Sequence, residues 1–350
     1  MDRLLGVLDS LGLDALLIAD PAEVRWLTGF PSSNALVVVT RSRALLVTDF
    51  RYATRAAREA RHVEVIEGSR DLLADVAALL PAAGRIGFED EVVTVAWLER
   101  LRAVLGDGEL VGLGDAIVQV RAVKTAAEIG FMRAAVACSD AVLSTVVGGG
   151  VVGRRELEVA AALEAELRRA GAQRSSFDPI VASGPRADSP HGEPTDTVIE
   201  RDTLLLIDFG VELDGWCSDG TRTYATGAVS DEMRSVYELV LRAQLAGLDA
   251  VRAGVSGRSV DSVARQLIVD AGFGERFGHS LGHGVGVRLH EEPRLSQGYE
   301  GLLEPGNVVS VEPGVYLPGR FGVRIEDLVA VTEDGCENLS GTGKELVVVD

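Results

Sequence analysis

Four carboxylates at the ends of apolar runs, and histidines crowded into one glycine-rich stretch, carry most of the chemistry this sequence can do. Residues 204–210 read as a strand pattern containing Asp208, Asp214-Gly215 is a strong two-residue hairpin signal, and residues 216–224 read as the returning strand. In that register Asp208 lies opposite Thr221 and Asp219 opposite Gly210. Both aspartates then share one face as diagonal neighbours, roughly 7 Å apart at the backbone, which suits two metal ions about 3.5 to 4 Å apart. Gly210 on that face is expected to leave room for the ions. Each aspartate could equally serve a turn or a cap. What favours a ligand role is a charge ending an almost wholly apolar run, because an unpaired buried carboxylate is costly without a cation.

Glu312 repeats the pattern after the apolar run 308–311, just before Pro313-Gly314, and Glu326 sits in a further strand pattern two residues after Arg324. Period-2 geometry puts Arg324 and Glu326 on the same face, so Arg324 could simply be the partner of a strand carboxylate. Four carboxylates and one arginine still leave excess negative charge, for which metal ions are the simplest compensation. Of five histidines, His191, His279, His283 and His290 lie in the second part of the chain, and three fall within 277–291 among Gly278, Gly282, Gly284 and Gly286. A lone histidine is usually a hydrogen-bonded core or surface group; three beside glycines that let the backbone approach closely are harder to dismiss. Four carboxylates and one imidazole form a hard ligand set that favours manganese and admits cobalt, iron or zinc. Two such ions would make a nucleophilic hydroxide at neutral pH and polarise a carbonyl, so hydrolysis is expected rather than redox chemistry.

These residues need a scaffold, and the chain is long enough for two domains at 350 residues. Short apolar runs near 16–18, 35–39, 44–48, 63–66 and 86–88 alternate with amphipathic segments, which predicts an α/β domain over residues 1–118. Gly112, Gly114 and the stretch 119–124 are expected to mark its end. Residues 119–350 read as two halves, each two helices followed by extended segments, an α+β domain with an internal repeat in which each half contributes one acidic pair. A net charge of -19 argues against nucleic-acid binding. The longest uncharged stretch, 141–153, is too short for the roughly 20 apolar residues of a membrane span, and the amino terminus lacks a secretory pattern, so a cytoplasmic protein is expected. Cys138, Cys217 and Cys336 show no disulfide or structural-zinc spacing. Only Lys124 and Lys344 are lysines, which reads as coding bias.

The stretches LIDFGVELDGWCSDGTRT (206–223), HSLGHGVGVRLHE (279–291), VEPGVY (311–316) and GVRIED (322–327) resemble the aminopeptidase P and prolidase family of pita-bread metallopeptidases. WLTGF (26–30) and TDFRY (48–52) are similar to that family's amino-terminal creatinase/prolidase-like domain, so the resemblance spans essentially the whole chain. It implies an α/β amino-terminal domain, a pita-bread catalytic domain with pseudo-twofold repeat, and two divalent ions held by Asp208, Asp219, His283, Glu312 and Glu326. It further implies that Asp219 and Glu326 bridge the ions, that Glu312 takes a proton from the attacking water, and that His290 donates to the carbonyl oxygen. His191, in PHG (190–192), resembles a substrate-side histidine, and His279 and Arg324 resemble supporting and substrate-binding groups. The implied substrate is a peptide with proline in second position, and a homodimer is implied.

Three departures from the family pattern are Gly220, Arg288 and Phe177, which touch specificity and metal tuning rather than the ligand set. An Xaa-Pro aminopeptidase is the first reading and an Xaa-Pro dipeptidase the alternative. The choice turns on a basic group that reads a dipeptide's carboxylate, for which Arg186, Arg288 and Arg320 are candidates. A methionine aminopeptidase does not account for residues 1–117, and creatinase-like relatives lack the ligand set. A non-catalytic binding protein of the same fold is the reading from a different class, weakened by five filled ligand positions. Because Cys217 shares a strand face with Asp219 in the hairpin register, modification by a bulky thiol reagent is expected to impair activity. Full activity after stoichiometric modification would count against that register or its closeness to the site.

Overall fold

The computed structural model describes residues 2–350, and the chain divides into two compact units, Met1–Arg121 and Ala122–Asp350. The first is built on a six-stranded sheet in the order Glu64–Gly68, Ala44–Asp49, Ala35–Thr40, Ala15–Ile18, Arg85–Phe88, Glu109–Gly112. The five expected strands are present, and Glu109–Gly112 adds a sixth at the edge. Alternate residues feed separate apolar clusters, Leu16 and Ile18 into one, Ala15 and Leu17 into the other, so both faces of the sheet are covered. The stretch 119–124 is not an open linker: a helix, Ala116–Ala122, runs through residue 118. Its buried Arg121 lies 3.1 Å from Glu23, an ion pair that fixes the helix to the first unit.

The second unit follows the expected repeat. Helices Ala126–Gly148 and Glu156–Arg169 precede the strands of the first half, and helices Asp231–Ala250 and Gly257–Asp270 precede those of the second. Each half has its own apolar cluster. The helix Ala126–Gly148 is long and apolar enough to cross a membrane, contrary to what the longest uncharged stretch suggests, because the helix tolerates Arg133 and Asp140 on its polar side. Its face formed by Ala135, Val142, Leu143 and Val146 is buried in the first-half cluster, and Thr125 caps it by accepting from the Glu128 N–H.

The acidic pairs are placed by equivalent devices. Leu204–Asp208 pairs antiparallel with Thr221–Ala225, with Thr221 opposite Asp208 as the hairpin register requires. The turn residues Asp214 and Gly215 both take positive φ, 51° and 87°, as a tight hairpin of this type demands. In the second half Val308–Val311 pairs antiparallel with Asp327–Val331, Val311 opposite Asp327, so Glu312 and Glu326 sit at one end of that pair. The halves are joined there: the Glu326 N–H donates to the Thr221 carbonyl at 3.1 Å.

Glycine in these hairpins serves close backbone approach. A Cβ on Gly210 would fall 2.0 Å from the Ser218 carbonyl oxygen and 2.3 Å from Ser176 Oγ, so this glycine lets chains cross rather than leaving room for ions. A Cβ on Gly282 would fall 1.9 Å from the Ser310 carbonyl oxygen. Gly210→Ala is therefore expected to cost about 1–3 kcal/mol through forced backbone shifts. A melting temperature equal to wild type would contradict this crowding.

Candidate metal centre

Asp208, Asp219 and Glu326 are buried and each offers an oxygen within 4.8 Å of the others. His283 enters from the strand Gly282–Gly284, with Nε2 3.4 Å from Glu312 Oε1 and 3.6 Å from Asp219 Oδ2. Its Nδ1 faces the Gly284 carbonyl at 3.0 Å, which assigns the proton to Nδ1 and leaves the Nε2 lone pair aimed at the carboxylates. The five expected ligand residues thus come together from four strand ends and one short strand.

The donor set fits divalent cations. Asp208 Oδ1 and Glu326 Oε1 are buried without a hydrogen-bond partner, an arrangement that costs several kcal/mol unless a cation meets them. The other oxygens are committed: Arg324 Nη2 donates to Asp208 Oδ2 at 2.5 Å, and Thr221 Oγ1 donates to Glu326 Oε2 at 2.7 Å. Ser310 Oγ donates to Glu312 Oε1 at 3.0 Å and accepts from the His283 backbone N–H.

Arg324 is 2% exposed and lies beneath the carboxylates. Besides Asp208 it donates to Thr221 Oγ1, the Pro190 carbonyl and the Tyr316 hydroxyl, which in turn bonds His279 Nε2 at 3.0 Å. A chain Asp208–Arg324–Tyr316–His279 therefore braces one side of the centre. Tyr316 stands in a recognised motif, yet sequence reasoning gave it no role because its partners lie on other strands.

Above the carboxylates is a cavity of about 440 Å³, lined among others by Phe177, Ile180, His191, Leu289 and His290. His290 is exposed, with its ring centroid 4.3 Å from that of His283. His191, also exposed, lines the cavity from the segment after Pro190. Of the basic candidates, Arg186 is paired with Glu156 at 2.9 Å and Arg320 with Glu232, and neither lines the cavity, nor does Arg288. Besides Arg324 at its floor, Arg294 lines the cavity, missed because strand position alone cannot say which cation turns inward. Cys217 is buried outside the cavity with Sγ 3.8 Å from the Val287 carbonyl, so the expected loss of activity on thiol modification would come from displacing the segment that carries His290, not from blocking the cavity.

Residues 130–333 match metallopeptidase family M24, and residues 1–123 match the creatinase/prolidase N-terminal domain. The solved structure of an Xaa-Pro dipeptidase from Bacillus anthracis superposes with a TM-score of 0.95 at 37% identity, covering 99% of this chain and 98% of that one. An X-Pro aminopeptidase from Thermotoga maritima gives a TM-score of 0.92 at 37% identity, covering 97% and 99%. The Xaa-Pro dipeptidase of Pyrococcus furiosus is 34% identical, with 99% of each chain covered.

Burial and mutual repulsion dominate the site's titration. Asp219 is driven well above its ordinary range by burial and then by Asp208 and Glu312, Glu326 likewise by burial and Asp219, and Glu312 is pushed up to about 7 by burial. Burial holds His283 down to about 3, and burial with the Arg324 charge holds His279 down to about 4. The histidines contribute stability that is complete above 6.5 and lost as pH falls below it. The raised carboxylates contribute stability that is present at low pH and lost as pH rises, through about 7 for Glu312. Above pH 6.5 only the carboxylates act, so metal-stripped protein is expected to lose melting temperature as pH rises from 6.5 through about 7, and the gain on adding a divalent ion is expected to grow over that interval. A metal-free melting temperature that rises with pH there would contradict the placement of these groups.

Proposed function

The chain belongs to metallopeptidase family M24, and from that premise we propose that it is an enzyme cutting the bond between an amino-terminal residue and proline. The observation that carries this reading is the pair of orphaned carboxylate oxygens, Asp208 Oδ1 and Glu326 Oε1, facing a cavity walled by Phe177, Ile180 and Leu289. Asp208, Asp219, His283, Glu312 and Glu326 would hold two divalent ions, with manganese favoured by a donor set of four carboxylates and one imidazole. Such ions supply Lewis acidity and lower the pKa of water.

The chain's own residues supply positioning and proton handling. Glu312, which burial pushes up to about 7 in the metal-free site, stands 3.4 Å from His283 Nε2 and is placed to take the proton of the attacking water. Partial desolvation at the cavity mouth, and then the charge of Arg294, hold the His290 imidazole below its ordinary range, and it donates a hydrogen bond to the carbonyl oxygen as charge develops there. His191 faces the substrate from the cavity wall, and His279, bonded to Tyr316, supports the wall behind it. Arg324 holds Asp208 in place. The apolar wall accepts the proline ring.

Xaa-Pro aminopeptidase activity is supported by a second hollow of about 720 Å³ that shares Phe177 and Asp178 with the first and offers space for residues beyond proline. Dipeptidase activity is favoured by Arg294, whose guanidinium can pair with the carboxylate of a dipeptide. A homodimer in the cytoplasm accompanies this reading; the three cysteines are free thiols, as a reducing compartment allows.

With manganese supplied, the chain is expected to cleave Ala-Pro-Ala at the Ala-Pro bond, and a chelator to abolish the activity. Cleavage of Ala-Pro alone would make the enzyme a dipeptidase, and in that case Arg294→Gln is expected to raise KM for the dipeptide about tenfold or more by removing a charge-assisted bond. Metal binding with neither peptide cut would overturn the Xaa-Pro assignment.

A further inference from the structure

We propose that Lys124 is a positioning residue for His290, acting through Glu291; this rests on the peptidase reading. Lys124 Nζ donates to Glu291 Oε2 at 3.0 Å, and the two side chains are 0% and 1% exposed. The other carboxylate oxygen, Oε1, accepts the Arg288 backbone N–H at 2.9 Å. The segment between His283 and His290 wraps around this carboxylate so closely that a Cβ on Gly286 would fall 2.5 Å from both its oxygens. The same segment is closed by the Gly286 N–H donating to the Arg288 carbonyl at 3.0 Å, and is held from outside by the Cys217 N–H donating to the Gly286 carbonyl at 2.8 Å. His290 precedes Glu291 directly, so the place of this carboxylate sets the place of the imidazole.

Lys124 is itself held rigidly. Its backbone N–H donates to the Gly306 carbonyl at 2.8 Å, Val123 pairs with Asn307, and Thr125 caps the helix Ala126–Gly148. An ammonium fixed to two elements and bonded to a carboxylate fixed to a third supplies the kind of support that a donor aimed at a developing charge requires.

Composition bears on the same point. The chain has 34 basic residues, of which only Lys124 and Lys344 are lysines, and Lys344 Nζ donates at 2.5 Å to Asp327, the neighbour of Glu326. Both lysines therefore bond the carboxylate that directly follows a residue of the site. A compact ammonium, which needs less space than a planar guanidinium, suits such contacts.

The test compares wild type, Lys124→Met, Glu291→Gln, His290→Ala and the double variant His290→Ala/Lys124→Met, each loaded with manganese. Readouts are kcat and KM on whichever of Ala-Pro-Ala and Ala-Pro is the better substrate, metal content, and, on the same proteins loaded with diamagnetic zinc in place of manganese, the imidazole NMR signals, with His290 assigned by its loss in His290→Ala. Lys124→Met is expected to lower kcat about 10- to 100-fold with metal content kept, to move the His290 signal while leaving that of His279 in place, and to cause no further loss when His290 is already alanine. Should Lys124→Met fail to fold, Glu291→Gln keeps the side chain's shape and an acceptor for the Arg288 N–H, and carries the same expectations. Unchanged kcat with an unmoved His290 signal, or a loss that recurs in full in the His290→Ala background, would overturn the proposal. If wild type cuts neither peptide, the peptidase reading fails by itself, and the His290 signal in the two single variants still decides whether Lys124 positions that ring.

Discussion

Asp219, Glu312 and Glu326 are brought together beside Asp208 where burial and neighbouring carboxylates oppose their charge, and the rest of the second unit is arranged to withstand that repulsion. Among the described residues Arg324 is the guanidinium bonded to one of these carboxylate groups, and it reaches only one oxygen of it. A buried pair of this kind offsets part of the desolvation cost without removing it. The remaining oxygens are left to a cation, and the backbone has to hold them against separation until one arrives. That requirement explains why the carboxylates stand at the ends of paired strands rather than on loops: a strand end held by ladder hydrogen bonds cannot relax away from its neighbour without breaking them.

The repeat supplies this rigidity twice. In each half an apolar strand, Leu204–Asp208 or Val308–Val311, is buried between neighbours, and the returning strand begins just after the second acid. In each half a glycine admits a crossing backbone at a distance no side chain would allow, Gly210 against Ser218 and Gly282 against Ser310. The halves differ in what they add. The first brings Thr221, which donates to Glu326 and accepts from Arg324, and the second brings Arg324 and His283. Each half therefore completes the other's acidic pair, and neither half alone holds a finished site.

The parts of this arrangement that are legible in the sequence are those governed by local geometry. A two-residue turn at Asp214-Gly215 fixes which residues face each other for several positions in both directions, so the opposition of Asp208 and Thr221 follows from the turn chemistry alone. Strand runs in the first unit are equally local. What stays hidden is the identity of partners across long separations: nothing in the local pattern says that Arg294 faces the cavity, and nothing in the chain order couples Lys124 to Glu291, 167 residues away. Glycine is ambiguous for the same reason. The type at position 210 signals that a side chain is excluded, but only the fold shows that the excluding group is a carbonyl rather than an ion. The helix across residues 116–122 is missed because glycines before it read as a boundary, while the Arg121 contact with Glu23 that ties it down spans most of the first unit.

Behind the centre lies a second layer of charge whose purpose is geometric. Asp327, fully buried, accepts from Arg222 and Lys344 and from the amides of Gln244 and Asn338, which gather a returning strand, the helix Asp231–Ala250 and the carboxyl-terminal segment onto the residue beside Glu326. Glu156, equally buried, accepts from Ser183, Arg186 and Thr195 and so braces the segment that carries His191. Apolar residues of similar volume would often stabilise such positions as well or better. Their advantage here is directional: a carboxylate bonded by several donors from different elements has one position, whereas an apolar contact tolerates sliding. For a centre whose chemistry depends on oxygen atoms separated by a few ångströms, fixing position matters more than adding stability, and it is the residues adjacent to the site, rather than the site itself, that can be given fully satisfied charges to do it.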